Sequence, residues 1–295
     1  MNYYRWIGTG AALLLPLASL ASGKSQAMGT KPCAWSVPAE QPDHSLDVPA
    51  TIRLLRENHF TCYVQPIEEK PPMSYADFNR LLPAAQAAGI DIWAVLIPRH
   101  EGASLPYRYD FIRWLQELAR ASLRYPVLRG VNIDDTDVGG NENIFTHQYL
   151  SEIYAAKQKI NPAMLFLPTI YDLDPEEADR LTGVVDGVWL WWVNLESNNG
   201  LRAFLEDGRV VARGRFPVYG GVYAHSTSWH KQGGPKPEVF DKALKLACAY
   251  SDGAIIWQLP LMEEPNAWLD VARSYTAAGR TCGAAAFTQG HTQQE

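Results

Sequence analysis

The densest group of chemically capable side chains is Gly130-Val131-Asn132-Ile133-Asp134-Asp135-Thr136-Asp137, where three acids stand at the end of an apolar run. In an extended chain alternate residues share a face. Asn132 and Asp134 therefore point one way, and Asp135 points the other way or turns into the loop. Carboxyls this close raise one another's proton affinity, so one can hold a proton while its neighbour is ionised. That is the equipment of acid–base catalysis. Asn132 in an apolar run is costly to bury unless it finds polar partners. A further acid, Glu196, follows a second apolar run, Trp189-Leu190-Trp191-Trp192-Val193-Asn194-Leu195. Asp172 and Asp174 are weaker candidates, because Asp-Leu-Asp-Pro-Glu-Glu reads as the start of a helix.

The chain holds ten Trp and fourteen Tyr, several of them at the ends of similar runs. Aromatic planes suit the C–H faces of pyranose rings. Trp35, Tyr171, Trp192, Tyr223 and Trp257 are expected to contact substrate in this way. Gln65, Asn132, Asn194, His225 and Gln258 are expected to supply hydrogen bonds. Cleavage of a glycosidic bond needs a proton donor to the leaving oxygen and a carboxylate opposite. Asp135 is the expected donor, with Asp134 set lower to hold or polarise it. Glu196 is expected across the site, stabilising positive charge on the sugar or activating water.

These residues need a scaffold that brings distant strand ends together. Short runs rich in Val, Ile, Trp and Tyr occupy 32–37, 60–65, 91–98, 128–134, 164–170, 187–194, 217–223 and 253–259. Amphipathic stretches at 50–57, 74–88, 109–123, 146–160, 175–181, 200–208, 236–249 and 264–278 separate and follow them. Eight strand–helix units predict a single-domain α/β fold, the (β/α)8 barrel, with its site at the carboxyl ends of the strands. An open doubly wound sheet is the alternative. It would place a Gly-rich turn after the first strand, where Ser36-Val37-Pro38-Ala39-Glu40 stands instead.

Gly-Val-Asn-Ile-Asp-Asp at the end of strand 4, with Trp257 closing strand 8, resembles the barrel glycoside hydrolases. The chitinase-type family reads Asp-Gly-x-Asp-x-Asp-x-Glu there. Gly130 and Asp134 match that pattern, whereas Arg129, Asn132 and Thr136 stand for the two other Asp residues and the Glu. The spherulin-4-like hydrolases carry an acid pair after strand 4 and a Glu after strand 6, and Asp134-Asp135 and Glu196 occupy comparable places. The resemblance implies a carbohydrate substrate and carboxylate catalysis. The missing strand-4 Glu leaves open a sugar-binding barrel without catalysis. A third alternative is a metal-assisted hydrolase using Asp134, Asp135 and Asp137.

Composition narrows the classes further. With 47% hydrophobic and 20% charged residues, the 295-residue chain can bury a large core. A net charge of −6 without a Lys/Arg cluster argues against a nucleic-acid partner. No H-E-x-x-H, G-x-S-x-G or Walker motif occurs, and neither a cofactor nor a bound metal is expected. Residues 1–27 read as a signal peptide, with Arg5 ahead of an apolar run and Ser25-Gln26-Ala27 as the cleavage site. Cleavage would leave 24 basic against 32 acidic residues, no membrane attachment, and a periplasmic or secreted protein. Residues 28–282 would form the barrel and 283–295 a flexible tail. Cys33, Cys62, Cys248 and Cys282 suit disulfides in an exported chain, with three connectivities open. The stretch from Ser226 to Gly234, holding Trp229 and His230, is expected to form a rim of the site.

Overall fold

A computed structural model describes residues 31–225, 234–262, 266–277 and 282–283. The expected signal peptide and almost all of the tail, with Trp229 and His230, lie outside these residues. The strands are β1 (Cys33–Trp35), β2 (Cys62–Ile67), β3 (Asp91–Leu96), β4 (Leu128–Ile133), β5 (Leu165–Phe166), β6 (Thr169–Ile170), β7 (Val188–Trp191), β8 (Val218–Tyr223) and β9 (Ala254–Trp257). The helices are α1 (Val48–Glu57), α2 (Tyr75–Ala88), α3 (Phe111–Arg124), α4 (His147–Gln158), α5 (Pro175–Leu181), α6 (Leu201–Val211), α7 (Pro237–Tyr250) and α8 (Ala267–Thr276). All strand pairs are parallel, in the order β5-β4-β3-β2-β1-β9-β8-β7-β6.

The two ends of that order are one extended segment broken at Pro168. β5 pairs with β4, and β6 pairs with β7. Pro168 has no N–H to give a ladder. Its carbonyl accepts from Trp189 N at 2.9 Å, while Leu167 N donates to Val131 O at 3.0 Å on the other side. The segment is thus the fifth stave of a closed (β/α)8 barrel, and its proline is why one expected strand reads as two.

Alternation along each strand builds two cores. Outward residues such as Tyr63, Val131 and Leu190 pack under the helices. Inward residues fill the barrel with aromatic rings, including Trp35, Trp93, Trp189, Trp191 and Tyr219. Two glycines make the room. A Cβ on Gly130 would sit 2.3 Å from the Trp93 ring, and one on Gly221 2.3 Å from the Trp191 ring. Gly130 therefore has a packing role beyond any motif.

Helix starts follow from local chemistry. Asp47, Ser74, Asp110, Thr146, Asp174 and Asn266 each cap a helix with a side-chain oxygen on a backbone N–H. Asp174 is thereby a cap, as its Asp-Pro-Glu-Glu context predicts. Disulfides join Cys33 to Cys62 across β1 and β2, and Cys248 to Cys282. Sequence separations of 29 and 34 residues correspond to roughly 3–4 kcal/mol each through the restricted unfolded chain.

Candidate active site

A cavity of about 280 Å³ opens at the carboxyl ends of the strands. One wall carries acids: Glu68 beyond β2, Glu101 beyond β3, and Asp134 and Asp135 beyond β4. The rest of the lining includes Trp35, Tyr171, Trp191, Tyr223, Trp257 and Gln258. Tyr223 and Trp257 meet edge to face, with ring centroids 5.2 Å apart.

Both strand-4 acids reach this cavity because the chain turns at Asp135. Its φ of +49° lies in the left-handed region, which Asp tolerates better than most side chains. Gln258, also at +49°, lines the cavity too. Departures of this kind collect at functional sites.

Asp135 is buried and surrounded by donors. Tyr171 Oη donates to its Oδ1 at 2.5 Å, and His100 Nε2 lies 3.0 Å from its Oδ2. Asn141 Nδ2 donates to the Asp135 carbonyl at 2.7 Å and lies 3.0 Å from His100 Nδ1. Both Asp135 oxygens therefore accept. Asp134 differs. Burial, then the neighbouring charges of Asp135 and Glu101, hold its proton affinity well above the usual carboxylate range. Glu101 is exposed as a whole residue, yet its carboxyl oxygen lies within 4.8 Å of an Asp135 oxygen and a His100 ring nitrogen. Enclosure of that carboxyl, and then the Asp135 charge, push it up to about 7. Burial raises Glu68 as well. Burial, then the Asp134 charge, also pushes Tyr171 and Tyr223 up, keeping both hydroxyls protonated.

Several expected contacts point elsewhere. Gln65 shares the outward face of β2 with Tyr63 and Ile67, is fully buried, and gives its amide to Pro66 O at 3.2 Å. Pro66 lines the cavity instead. Trp192 turns outward onto Phe204 and donates to Ser197 O at 3.2 Å, leaving Trp191 as the inward ring. The cause in both cases is the two-residue period, which a register error of one reverses. Asn132 does face inward, one layer below Asp134. There it bonds Leu167 O at 2.6 Å and Thr169 Oγ1 at 3.1 Å, binding the fourth stave to the fifth.

Glu196 is exposed and is not among the cavity-lining residues. Asn194 is exposed too, and its Oδ1 accepts from Glu196 N and Ser197 N at 3.1 Å, a local turn. His225 is exposed, two residues beyond β8. Trp35, Tyr171, Tyr223, Trp257 and Gln258 converge with Asp134 and Asp135. Glu68, His100, Glu101 and Asn141 join them without having been singled out, and Trp191 takes the place expected of Trp192. Arg99-His100-Glu101 directly after the third strand was the available signal.

Asp134, Asp135 and Asp137 do not form a ligand set. Asp137 Oδ2 accepts from Tyr171 N at 2.7 Å and Asp172 N at 3.1 Å, turning it to a backbone role. Among the described residues, the His-and-acid group close enough to share an ion is His100, Glu101 and Asp135. Each ring nitrogen of His100 is already engaged, one with Asn141 and one with Asp135, so the arrangement is hydrogen-bonded as it stands.

Solved structures share this barrel. A GH113 beta-1,4-mannanase matches with a TM-score of 0.60 at 10% identity, covering 85% of this chain and 99% of the mannanase. The GH99 endo-alpha-mannosidase from Bacteroides thetaiotaomicron gives 0.56 at 13% identity, covering 77% of this chain and 76% of its own. The catalytic domain of the Thermobifida fusca endoglucanase Cel5A gives 0.57 at 12% identity, covering 79% of each chain. At such identities the likeness establishes the (β/α)8 fold that these glycoside hydrolases share, and does not single out the chitinase-type or spherulin-4-like families. No protein-family model matches the sequence, and the search of curated proteins finds no match.

Proposed function

We propose that the protein is an exported glycoside hydrolase acting on a polysaccharide or oligosaccharide. The observation that carries this reading is the pairing of two kinds of carboxyl in one aromatic-walled cavity. Asp135 accepts hydrogen bonds on both oxygens, while Glu101 and Asp134 beside it are pushed toward the protonated form. A donor with an affinity near 7 can give and retake a proton at neutral pH. Glu101 therefore suits the leaving oxygen. Asp135 suits the role of carboxylate facing the positive charge on the sugar, the reverse of the donor role expected from sequence. Tyr171 and His100 orient it, and Asp134 beneath it withholds a second negative charge. Glu101 and Asp135 bring carboxyl oxygens within 4.8 Å of one another, so a proton held by one is felt by the other. A carbohydrate panel assayed for new reducing ends, with Asp135→Asn as control, tests the proposal. No product from any sugar, in the presence of measurable binding, would refute it.

That last outcome would favour the non-catalytic sugar-binding barrel. One observation supports that second reading. Thr136, at the chitinase-type acid position, is buried with its hydroxyl donating to Thr169 O at 2.8 Å.

A further inference from the structure

We infer that Asn141 is a positioning residue that fixes which nitrogen of His100 carries the proton, and thereby aims the Asp135 carboxylate. This deepens the proposed function but stands on geometry of its own. The Asp135 carbonyl can only accept, so the Asn141 atom 2.7 Å from it must be the amide nitrogen. That nitrogen's second proton points at His100 Nδ1, 3.0 Å away, and Nδ1 must then accept. The neutral ring carries its proton on Nε2, which faces Asp135 Oδ2 at 3.0 Å. One amide thus holds both ends of the Asp135 residue, its carbonyl directly and its carboxylate through the imidazole.

The loop after β4 is built to deliver this amide. Gly139 and Gly140 are consecutive residues with φ of +66° and +85°, a path side chains resist. A Cβ on Gly139 would lie 3.2 Å from the His100 ring, so the loop backbone lies against the imidazole. Asn141 follows at once, opening a 3-10 turn (Asn141–Asn143), and is buried. Asp135 and Glu101 are the charged groups grouped with His100, with Asp134 next beyond them.

Asn141→Asp keeps the shape but replaces a donor with an acceptor. Nδ1 should then carry a proton to face the new carboxylate, with Nε2 still turned to Asp135 Oδ2, so the ring gains a charge beside Asp135. The readout is the pair of ring ¹⁵N shifts of His100 in the full chain, assigned among the seven histidines by the signal that His100→Gln removes. The wild type should show a protonated Nε2 and a bare Nδ1, and Asn141→Asp a protonated Nδ1. Turnover on a sugar that supports it should fall roughly 10–100-fold in kcat with KM little changed, part of the ~10²–10⁴ that acid–base groups contribute. A wild-type Nδ1–H, or an unchanged pattern in Asn141→Asp, would overturn the inference while leaving hydrolysis intact. If no sugar is turned over, the proposed function fails and the ¹⁵N pattern still decides the role of Asn141. If Asn141→Asp does not fold, the wild-type tautomer alone decides it.

Discussion

The two sides of the barrel mouth both end in acids, and their surroundings separate them. Beyond β2, β3 and β4, Glu68, Glu101, Asp134 and Asp135 share one cavity wall. Beyond β7, Glu196 stands in solvent, its backbone held by a turn on Asn194. A carboxyl in water keeps its charge cheaply. One enclosed beside another carboxyl does not, and a proton relieves it. Position at a strand end therefore is not sufficient for acid–base chemistry. Enclosure and a neighbouring charge must accompany it.

The largest expected effect breaks the two sides apart. Asp135→Asn should lower kcat ~10²–10⁴-fold on a supporting sugar, whereas Glu196→Gln should leave turnover near wild type. Steady-state assay of reducing ends checks both, and loss of activity only in the Glu196 variant would move the chemistry across the mouth. Next comes Gly221→Ala, whose Cβ would collide with Trp191. Overpacking of this kind costs about 1–3 kcal/mol, so thermal melting should fall, with weaker substrate binding as the ring shifts. A smaller effect separates aromatic rings. Trp257→Ala should raise KM about 10-fold, the equivalent of ~1.4 kcal/mol. Trp192→Ala should lower the melting temperature and spare KM, because its ring packs on Phe204 outside the barrel.

The smallest effect sharpens the electrostatic side of the comparison. Glu101 is raised in the folded protein from 4.5 to about 7, so the folded form binds more protons across that interval. Its contribution to stability is present below about 4.5 and is lost as pH rises through about 7. Asp137, raised by burial from 3.8 to about 6, acts in the same direction. Melting curves from pH 5 to pH 8 should therefore show the wild type losing ground against Glu101→Gln as pH rises. A gap that stays constant would show that Glu101 has no raised affinity.

The barrel was legible because strand and helix periods are local properties. Each of the eight apolar runs overlaps a strand, and even the broken run 164–170 is one stave with Pro168 inside it. The acids at 134 and 135 were legible because they end such a run. Which face a residue takes was not legible at every strand, since an apolar run marks a strand without marking which alternate set points inward. Trp191 and Trp192 exchange places with a shift of one. The meeting of Glu101 and Asn141 with Asp135 lay outside local reading for another reason. Each lies in a loop that folds back over the mouth, and only the Asp135 turn and the paired glycines at 139 and 140 bring them together.

The central claim is that the β2–β4 side of the mouth stores a proton at neutral pH. Carboxyl ¹³C shifts of labelled Asp and Glu, followed from pH 3 to pH 9 in the substrate-free protein, test it directly. Glu101 should titrate at about 7, and Asp134 should remain protonated well above the usual 3.8. If both instead lose their protons at the model-peptide values of about 4, the wall holds no proton donor and the account fails.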